Sequence, residues 1–273
     1  MEQVVTSLVD LTHLSWSKVR ASSGTGGSFL KAQEETKEGR VYYKLSSYDS
    51  YLGTFGHESV YEAVVDRLLT ILDVPHLSYR LLHADILLDE KKVRTWLCSS
   101  KSYRKRDEKK MALDDYYLAN RQEGESPLDF CIRMGWSTYI YQMLVVDYLI
   151  LNRDRHGANL EVLLDKQSGS VRLAPLFDHG VSLFCRCQSE ADLEKEDVLS
   201  DKVVQCFVGS RSAWENLRII PRDKHPSLRP LRESHREALL AGFEQALSER
   251  HLERIWEMIW RRWQAYEAFR DKG

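Results

Sequence analysis

Several features that would place a chain quickly are missing from this sequence. Its five cysteines (Cys98, Cys131, Cys185, Cys187 and Cys206) are odd in number and scattered, with no Cys-x-x-Cys pair. A zinc knuckle or a disulfide framework is therefore not expected, and a reducing, cytoplasmic setting is the simplest reading. No window of 18 or more residues is uniformly apolar, so no membrane-crossing helix is expected. The opening MEQVVTSLVDLTHLSW has no basic segment of the kind that begins a secretory signal. Neither charge sign dominates: 39 Lys and Arg stand against 41 Asp and Glu, a net charge of -2. That balance argues against a basic nucleic-acid binder or an acidic tail. No repeat recurs at a 20–50-residue period. What remains is an ordinary globular composition, 43% hydrophobic and 29% charged, over 273 residues. Disorder and collagen-like repeats are excluded, and the length suits two modest domains or one two-lobed unit.

The first third reads as strands with one helix. Leu8 to Ala21, Phe29 to Ala32 and Val41 to Leu45 are strand-like by composition. Between the first two lies the small-residue cluster Ser22-Ser23-Gly24-Thr25-Gly26-Gly27-Ser28, placed in a hairpin turn. From Glu58 to Leu72, Val60, Ala63, Leu68 and Leu72 recur at helical spacing, and Pro75 ends the pattern. Leu77 to His83 and Val93 to Cys98 are two more strands about the turn Asp89-Glu90-Lys91-Lys92. The charged run from Ser99 to Lys110 reads as a solvated linker or helix face. Beyond it the chain turns helical: Pro127 to Arg133, the strongly apolar Thr138 to Asn152, and two stripes near the C-terminus. One stripe is Leu239, Leu240, Phe243 and Leu247; the other is Ile255, Ile259, Trp260, Trp263 and Tyr266, read as core. A hairpin, Leu160 to Leu164 and Val171 to Leu176, interrupts this half. The fold expected is α+β and two-lobed, with a β-rich lobe over residues 1–98 and a mainly helical one over 99–273.

The segment Asn152-Arg153-Asp154-Arg155-His156-Gly157-Ala158-Asn159 carries Asn152, Asp154, His156 and Asn159 within eight residues, just after a buried-looking helix. Such crowding is costly unless the loop has a task or a tight internal hydrogen-bond network. Nineteen residues past Asn159, across the hairpin, stands Asp178-His179-Gly180. This order suits phosphoryl transfer, which needs a carboxylate for the proton of the attacking hydroxyl and oxygen ligands for Mg²⁺. Protein kinases space these groups as Asp-x-x-x-x-Asn followed by Asp-Phe-Gly. Asp154 and Asn159 have that offset, and His179 takes the place of Phe. Upstream, three glycines in the Ser22–Ser28 cluster offer backbone N–H groups to phosphates. Lys44 lies on the third strand, and Glu58 and Glu62 share a face of the helix, Glu62 being the better placed to hold the lysine. The strand ending at Cys98 reaches the lobe junction, where backbone groups could read adenine.

Taken in order, these segments resemble the HipA-like serine/threonine kinases, within the wider protein-kinase and phosphoinositide-kinase fold. The likeness rests on residues 22–28, on Tyr42-Tyr43-Lys44-Leu45, on Glu58 and Glu62, on Asn152 to Asn159, and on Leu173-Ala174-Pro175-Leu176-Phe177-Asp178-His179-Gly180. It implies Asp154 as catalytic base, Asn159 and Asp178 as Mg²⁺ ligands, and Lys44 as a ligand of ATP phosphates. Ser23, Gly24, Thr25, Gly26, Gly27, Ser28, Glu62 and Cys98 join the nucleotide site. Asn152, His156 and Glu58 support it. The resemblance further implies autophosphorylation in the loop, at Ser22, Ser23 or Thr25, and a protein substrate. The longer toxin kinases of that family carry an extra N-terminal subdomain that meets a DNA-binding antitoxin. Only about 20 residues precede the loop here, so an antitoxin partner is not expected, nor a membrane or nucleic-acid partner. Two further readings fit the residues: a nucleotide-binding pseudokinase, and a metal-dependent phosphohydrolase built from Asp154, His156, Asp178 and His179. A lipid kinase also fits the fold.

Overall fold

The computed structural model describes residues 3–17, 29–37, 39–49, 53–187 and 189–271. The first half builds a five-stranded sheet ordered β1-β6-β7-β3-β2. Its members are β1 (Val4–Asp10), β2 (Lys31–Thr36), β3 (Gly39–Leu45), β6 (Tyr79–Leu88) and β7 (Lys91–Lys101). β1 runs parallel to β6, and the other pairs are antiparallel. A two-residue loop, Asp89-Glu90, joins β6 to β7 with both residues at positive φ, 46° and 64°. That is the conformation whose twist matches the flanking strands. The short strands β4 (Tyr48–Asp49) and β5 (Gly53–Thr54) pair with each other.

Helix α1 (Glu58–Leu72) has the extent its spacing predicts. It is more than amphipathic, because both of its sides are covered. Tyr61, Ala63, Val64, Val65, Leu68, Leu69 and Leu72 are all fully buried and belong to the main core cluster. Asp73 closes the helix in the left-handed conformation (φ 62°), and Val74 and Pro75 lead out.

The run from Ser99 to Lys110 is not a helix, and only its middle, residues 102–107, is a solvated linker. Ser99–Lys101 completes β7, and β8 (Glu108–Ala112) begins before the run ends. β8 is an edge of a three-stranded sheet, β11-β10-β8, with β10 (Glu161–Asp165) and β11 (Val171–Leu173). Lys109 and Lys110 are exposed on this edge, while Glu108 is buried against Arg172 at 2.7 Å. Lysines on an edge strand discourage pairing with other chains, so a charge run is compatible with a strand there.

The second half adds α2 (Leu113–Asn120), α3 (Pro127–Arg133), α4 (Ser137–Leu149), α5 (Glu190–Lys195), α6 (Ala213–Arg218), α7 (Arg236–Leu240) and α8 (Glu249–Asp271). Ser126 caps α3 through the Asp129 N–H at 3.2 Å, with Pro127 in the first turn. The stripe from Leu239 to Leu247 is helical only to Leu240, because Gly242 (φ 86°) turns the chain there. The Trp-rich stripe is core: Ile255, Ile259, Trp263 and Tyr266 are at most 1% exposed. Two short strands, β9 (Asp154–Arg155) and β12 (Gln205–Cys206), pair in parallel and set the later chain beside the Asp154 loop. No described helix is long and apolar enough to cross a membrane.

Candidate active site

Lys44 lies one residue before the end of β3, where the strand has turned inward; its side chain is 11% exposed. Its Nζ donates to Glu62 Oε1 at 2.8 Å and to Asp178 Oδ1. Three distant segments thus meet at one ammonium: the sheet, α1, and the stretch after β11. The start of α1 is fastened to β3. The Ser59 N–H donates to Ser46 Oγ at 2.9 Å, and Ser59 Oγ–H donates to the Lys44 carbonyl at 3.0 Å. Glu58 does not share the lysine. Its carboxylate accepts from the Ser47 N–H at 3.1 Å and from Ser47 Oγ–H at 2.7 Å, bracing the chain after β3.

With both carboxylates ionised, the cluster carries one negative charge in excess, with Glu62 fully buried and Lys44 and Asp178 largely so. Burial opposes charge on Lys44, but Asp178 and Glu62 outweigh it and hold the ammonium above its usual range. Burial likewise works against ionised Asp178, yet Lys44 and, further off, Lys31 and Arg155 hold its carboxyl well below the usual range. Glu62 differs: burial dominates and raises its pKa in spite of Lys44. The fully ionised lysine–aspartate pair is the stable part, and Glu62 is the member that burial strains.

Asp178 takes a left-handed backbone (φ 59°), a conformation that costs a non-glycine residue about 1–2 kcal/mol. The segment is pressed onto α1. The His179 N–H donates to Glu62 Oε2 at 2.8 Å. A Cβ on Gly180 would lie 2.9 Å from the Glu58 carbonyl oxygen and 3.2 Å from Glu62 Oε1. A side chain there would push the segment off the helix, which is the physical reason for glycine at 180. His179 is itself 1% exposed, and burial drives its pKa well below that of a free imidazole, so the ring is neutral.

The Asp154 loop is held differently. α4 ends at Leu149, and Leu151 reverses the chain at φ 50°. Asp147, on the last turns of α4, accepts a two-pronged pair from Arg155, both at 2.9 Å, and a third bond from Asn152 Nδ2 at 2.9 Å. Arg155 Nη1 then donates to the carbonyls of Asn159 (3.2 Å) and Phe177 (2.8 Å). One guanidinium, 1% exposed, therefore joins α4, the loop and the residue before Asp178. From the sequence alone, Asp147 inside the apolar helix can either orient the loop or face solvent, and Arg155 has no assigned role. The signal was an acid inside an apolar helix eight residues before an arginine.

Asn152 Oδ1 accepts the Asp154 N–H at 3.2 Å. Asn159 Nδ2 donates to the Asp154 carbonyl at 2.7 Å, which leaves Asn159 Oδ1 free to accept. The Asp154 carboxylate is about one-third exposed, at 35%, with His156 Nε2 3.7 Å away. His156 Nδ1 accepts the Ala158 N–H at 3.2 Å, so this ring caps the short turn before β10. The donor set Asn159 Oδ1 and Asp178 is all oxygen with one carboxylate, which fits a hard cation such as Mg²⁺ completed by phosphate oxygens and water.

Cys98 is not at a lobe edge. It lies inside β7, paired with Lys44 on one side and Leu81 on the other, and the strand runs on to Lys101. Its backbone is spent in the sheet, so it cannot read a base; burial pushes its thiol up to about 12. Ser22, Ser23, Gly24, Thr25, Gly26, Gly27 and Ser28 lie outside the described residues.

No family model and no curated protein matches the chain. Solved structures do. The crystal structure of the Helicobacter pylori proinflammatory kinase CtkA superposes with a TM-score of 0.63 at 14% identity, covering 97% of this chain and 98% of that one. A Golgi casein kinase structure superposes at 0.43 and 13%, covering 91% and 71%, too loosely to argue from. The chain has a kinase-like fold, sheet-rich in its first part and helical in its second.

Proposed function

We propose that this chain is an ATP-dependent phosphotransferase of HipA-like type, acting on Ser or Thr hydroxyls of a protein. One observation carries the reading: in a kinase-like fold, Lys44 is gripped at once by Glu62 from α1 and by Asp178 from the segment after β11. That grip is what a phosphate-binding lysine needs in order to be aimed and charged before nucleotide arrives.

In this reading Lys44 meets the α- and β-phosphates, and Glu62 keeps it in place. Asn159 Oδ1 and Asp178 would hold Mg²⁺, which supplies charge neutralisation on the β- and γ-phosphates when bound. Asp154 orients the attacking hydroxyl and takes its proton as the new O–P bond forms and the bond to the ADP oxygen breaks. Asp147 and Arg155 keep Asp154 and Asn159 in fixed relation. The kinase activity named for the Helicobacter protein agrees with this assignment.

The phosphohydrolase alternative loses support from His179, which faces α1 at 1% exposure, and from His156, whose Nδ1 is committed to the loop. The deciding experiment is transfer of labelled γ-phosphate from Mg-ATP to myelin basic protein by wild type and Lys44→Ala. Transfer lost in the variant supports the kinase. Phosphate release that survives Lys44→Ala would move the assignment to a hydrolase.

A further inference from the structure

Arg262, on α8, is 0% exposed and has no carboxylate partner among the described residues. Its Nε donates to the Val198 carbonyl at 2.6 Å, Nη1 to the Tyr148 carbonyl at 3.0 Å and Nη2 to the Ser200 carbonyl at 2.8 Å. The Tyr148 ring lies 5.0 Å from the guanidinium carbon. A buried cation met only by carbonyl dipoles and a ring is expensive, so its contacts matter. They join the last turns of α4, which lead into the Asp154 loop, to the segment that enters β12.

The same segment is held from three other sides. Arg254, also on α8, donates to the carbonyls of Leu193 (3.2 Å) and Glu196. The Glu196 carboxylate sits 3.2 Å from Lys202 Nζ and 3.7 Å from Arg153. The Gln205 N–H then donates to the Arg153 carbonyl at 3.0 Å, and the Phe207 N–H to the Arg155 carbonyl at 2.8 Å. Residues 193–207 therefore form a ledge whose far end hydrogen-bonds the residues on either side of Asp154. Among the described residues, no hydrogen bond or ion pair joins this ledge to Lys44 or Glu62.

We infer that Arg262 is a positioning residue for the acceptor side of the site: it holds the 193–207 ledge against the Asp154 loop, so that a protein hydroxyl is presented to Asp154, without taking part in nucleotide binding. This rests on the kinase reading above. It implies that α8 fixes the ledge from behind, while the Glu196 ion pairs and the β9–β12 pairing fix its front.

The test compares wild type with Arg262→Lys, which keeps the charge but cannot span three carbonyls. A second variant, Glu196→Gln with Lys202→Met, loosens the half-buried rim of the same ledge and leaves the core intact. Three quantities are read: hydrogen exchange at Gln205 and Phe207, calorimetric Mg-ATP affinity, and transfer to myelin basic protein. In Arg262→Lys, exchange should rise at least tenfold and transfer fall about tenfold or more, with ATP affinity within twofold. The rim variant should shift exchange and transfer in the same direction by a smaller factor, and it decides the matter if Arg262→Lys does not fold. Unchanged exchange, unchanged transfer, or ATP affinity falling in step with transfer would overturn the inference. A wild type that binds Mg-ATP but transfers nothing would instead sink the kinase reading, leaving the exchange data to judge the ledge.

Discussion

The two flanks of the proposed site are built on different physics. On the flank proposed to meet nucleotide, Lys44, Glu62 and Asp178 make a charged knot with few neutral hydrogen bonds to support it. On the flank proposed to meet the acceptor hydroxyl, Asp147, Asn152, Arg155, Asn159 and Arg262 form a mesh in which backbone carbonyls take up most of the cationic donors. A charged knot can exchange partners: Lys44 can leave Asp178 for a phosphate while a cation takes its place. A mesh of carbonyls and fixed forks has no such alternative. The first flank is suited to binding and release, and the second to holding a proton acceptor still.

The sharpest way to separate the flanks is to remove one acid from each. Asp178→Ala should abolish turnover and remove the Mg²⁺-dependent part of ATP binding, read by calorimetry with and without the metal. Asp154→Ala should leave ATP affinity nearly intact and slow transfer by roughly 10²–10⁴-fold, the usual worth of a positioned general base. Metal-dependent turnover persisting in the first variant would refute the metal assignment. Equal losses of affinity and rate in the second would make Asp154 a ligand rather than a base.

Stability should expose the mesh. Arg155→Met leaves the Asp147 carboxylate with Asn152 alone and two carbonyls without their shared donor. Breaking a buried pair from one side costs about 3–5 kcal/mol. Urea unfolding should show a loss of that size, with a smaller loss in the Arg155→Met, Asp147→Leu double variant, which strands no charge. A double variant no more stable than the single one would mean that the three-way tie, and not the orphaned acid, sets the cost.

The acids and the lysine were readable because each belongs to a short ordered pattern: Asp154 with Asn159, Asp178 with Gly180, Lys44 on a β-branched and aromatic strand. The choice of Glu62 over Glu58 followed from depth in the helix, and the structure brings Glu62 and not Glu58 to Lys44. Arg155 sits inside the same motif yet was invisible, because its value lies in reaching Phe177, 22 residues away. Arg262 was further out of sight: its contact with Tyr148 spans 114 residues, and nothing near position 262 marks it among other charged positions of a Trp-rich helix. Patterns of period 2 and 3.6 show which face is buried. They do not show which carbonyl a buried guanidinium will find. The 99–110 run failed for a related reason, since an edge strand and a solvated helix face both carry lysines.

A smaller effect, outside both flanks, is read by pH. His251 on α8 is buried and shares a hydrogen bond of 2.7 Å with the Tyr61 hydroxyl of α1. Burial, with a lesser push from His57, lowers its pKa to about 4. The unfolded chain takes up this proton near pH 6.5 and the folded one only near 4, so stability is lost as pH falls through that window. The loss should be roughly 3 kcal/mol, from about 1.4 kcal/mol per pH step. His251→Gln should flatten that part of the stability curve in urea titrations at pH 7 and 4.5. An unchanged slope would place the acid sensitivity in the carboxylates instead.

The smallest expected effect is also the finest test of the charged knot. Glu58 and Glu62 stand one helical turn apart, are both buried and are equally acidic in sequence, yet only Glu62 touches Lys44. Glu58→Gln keeps one side-chain oxygen for the Ser47 N–H and replaces the other acceptor with an NH2, toward which the Ser47 hydroxyl must turn to accept, a loss of about 1 kcal/mol. ATP affinity should stay within about twofold. Glu62→Gln removes half of the countercharge on Lys44 and lets the lysine settle wholly on Asp178, where it competes with the cation. ATP affinity should then fall about tenfold, some 1.4 kcal/mol, while unfolding stability changes little because burial already strains the ionised Glu62. If both variants weakened ATP equally, α1 would act on the site as a rigid body and the single contact at Glu62 would not be what aims the lysine.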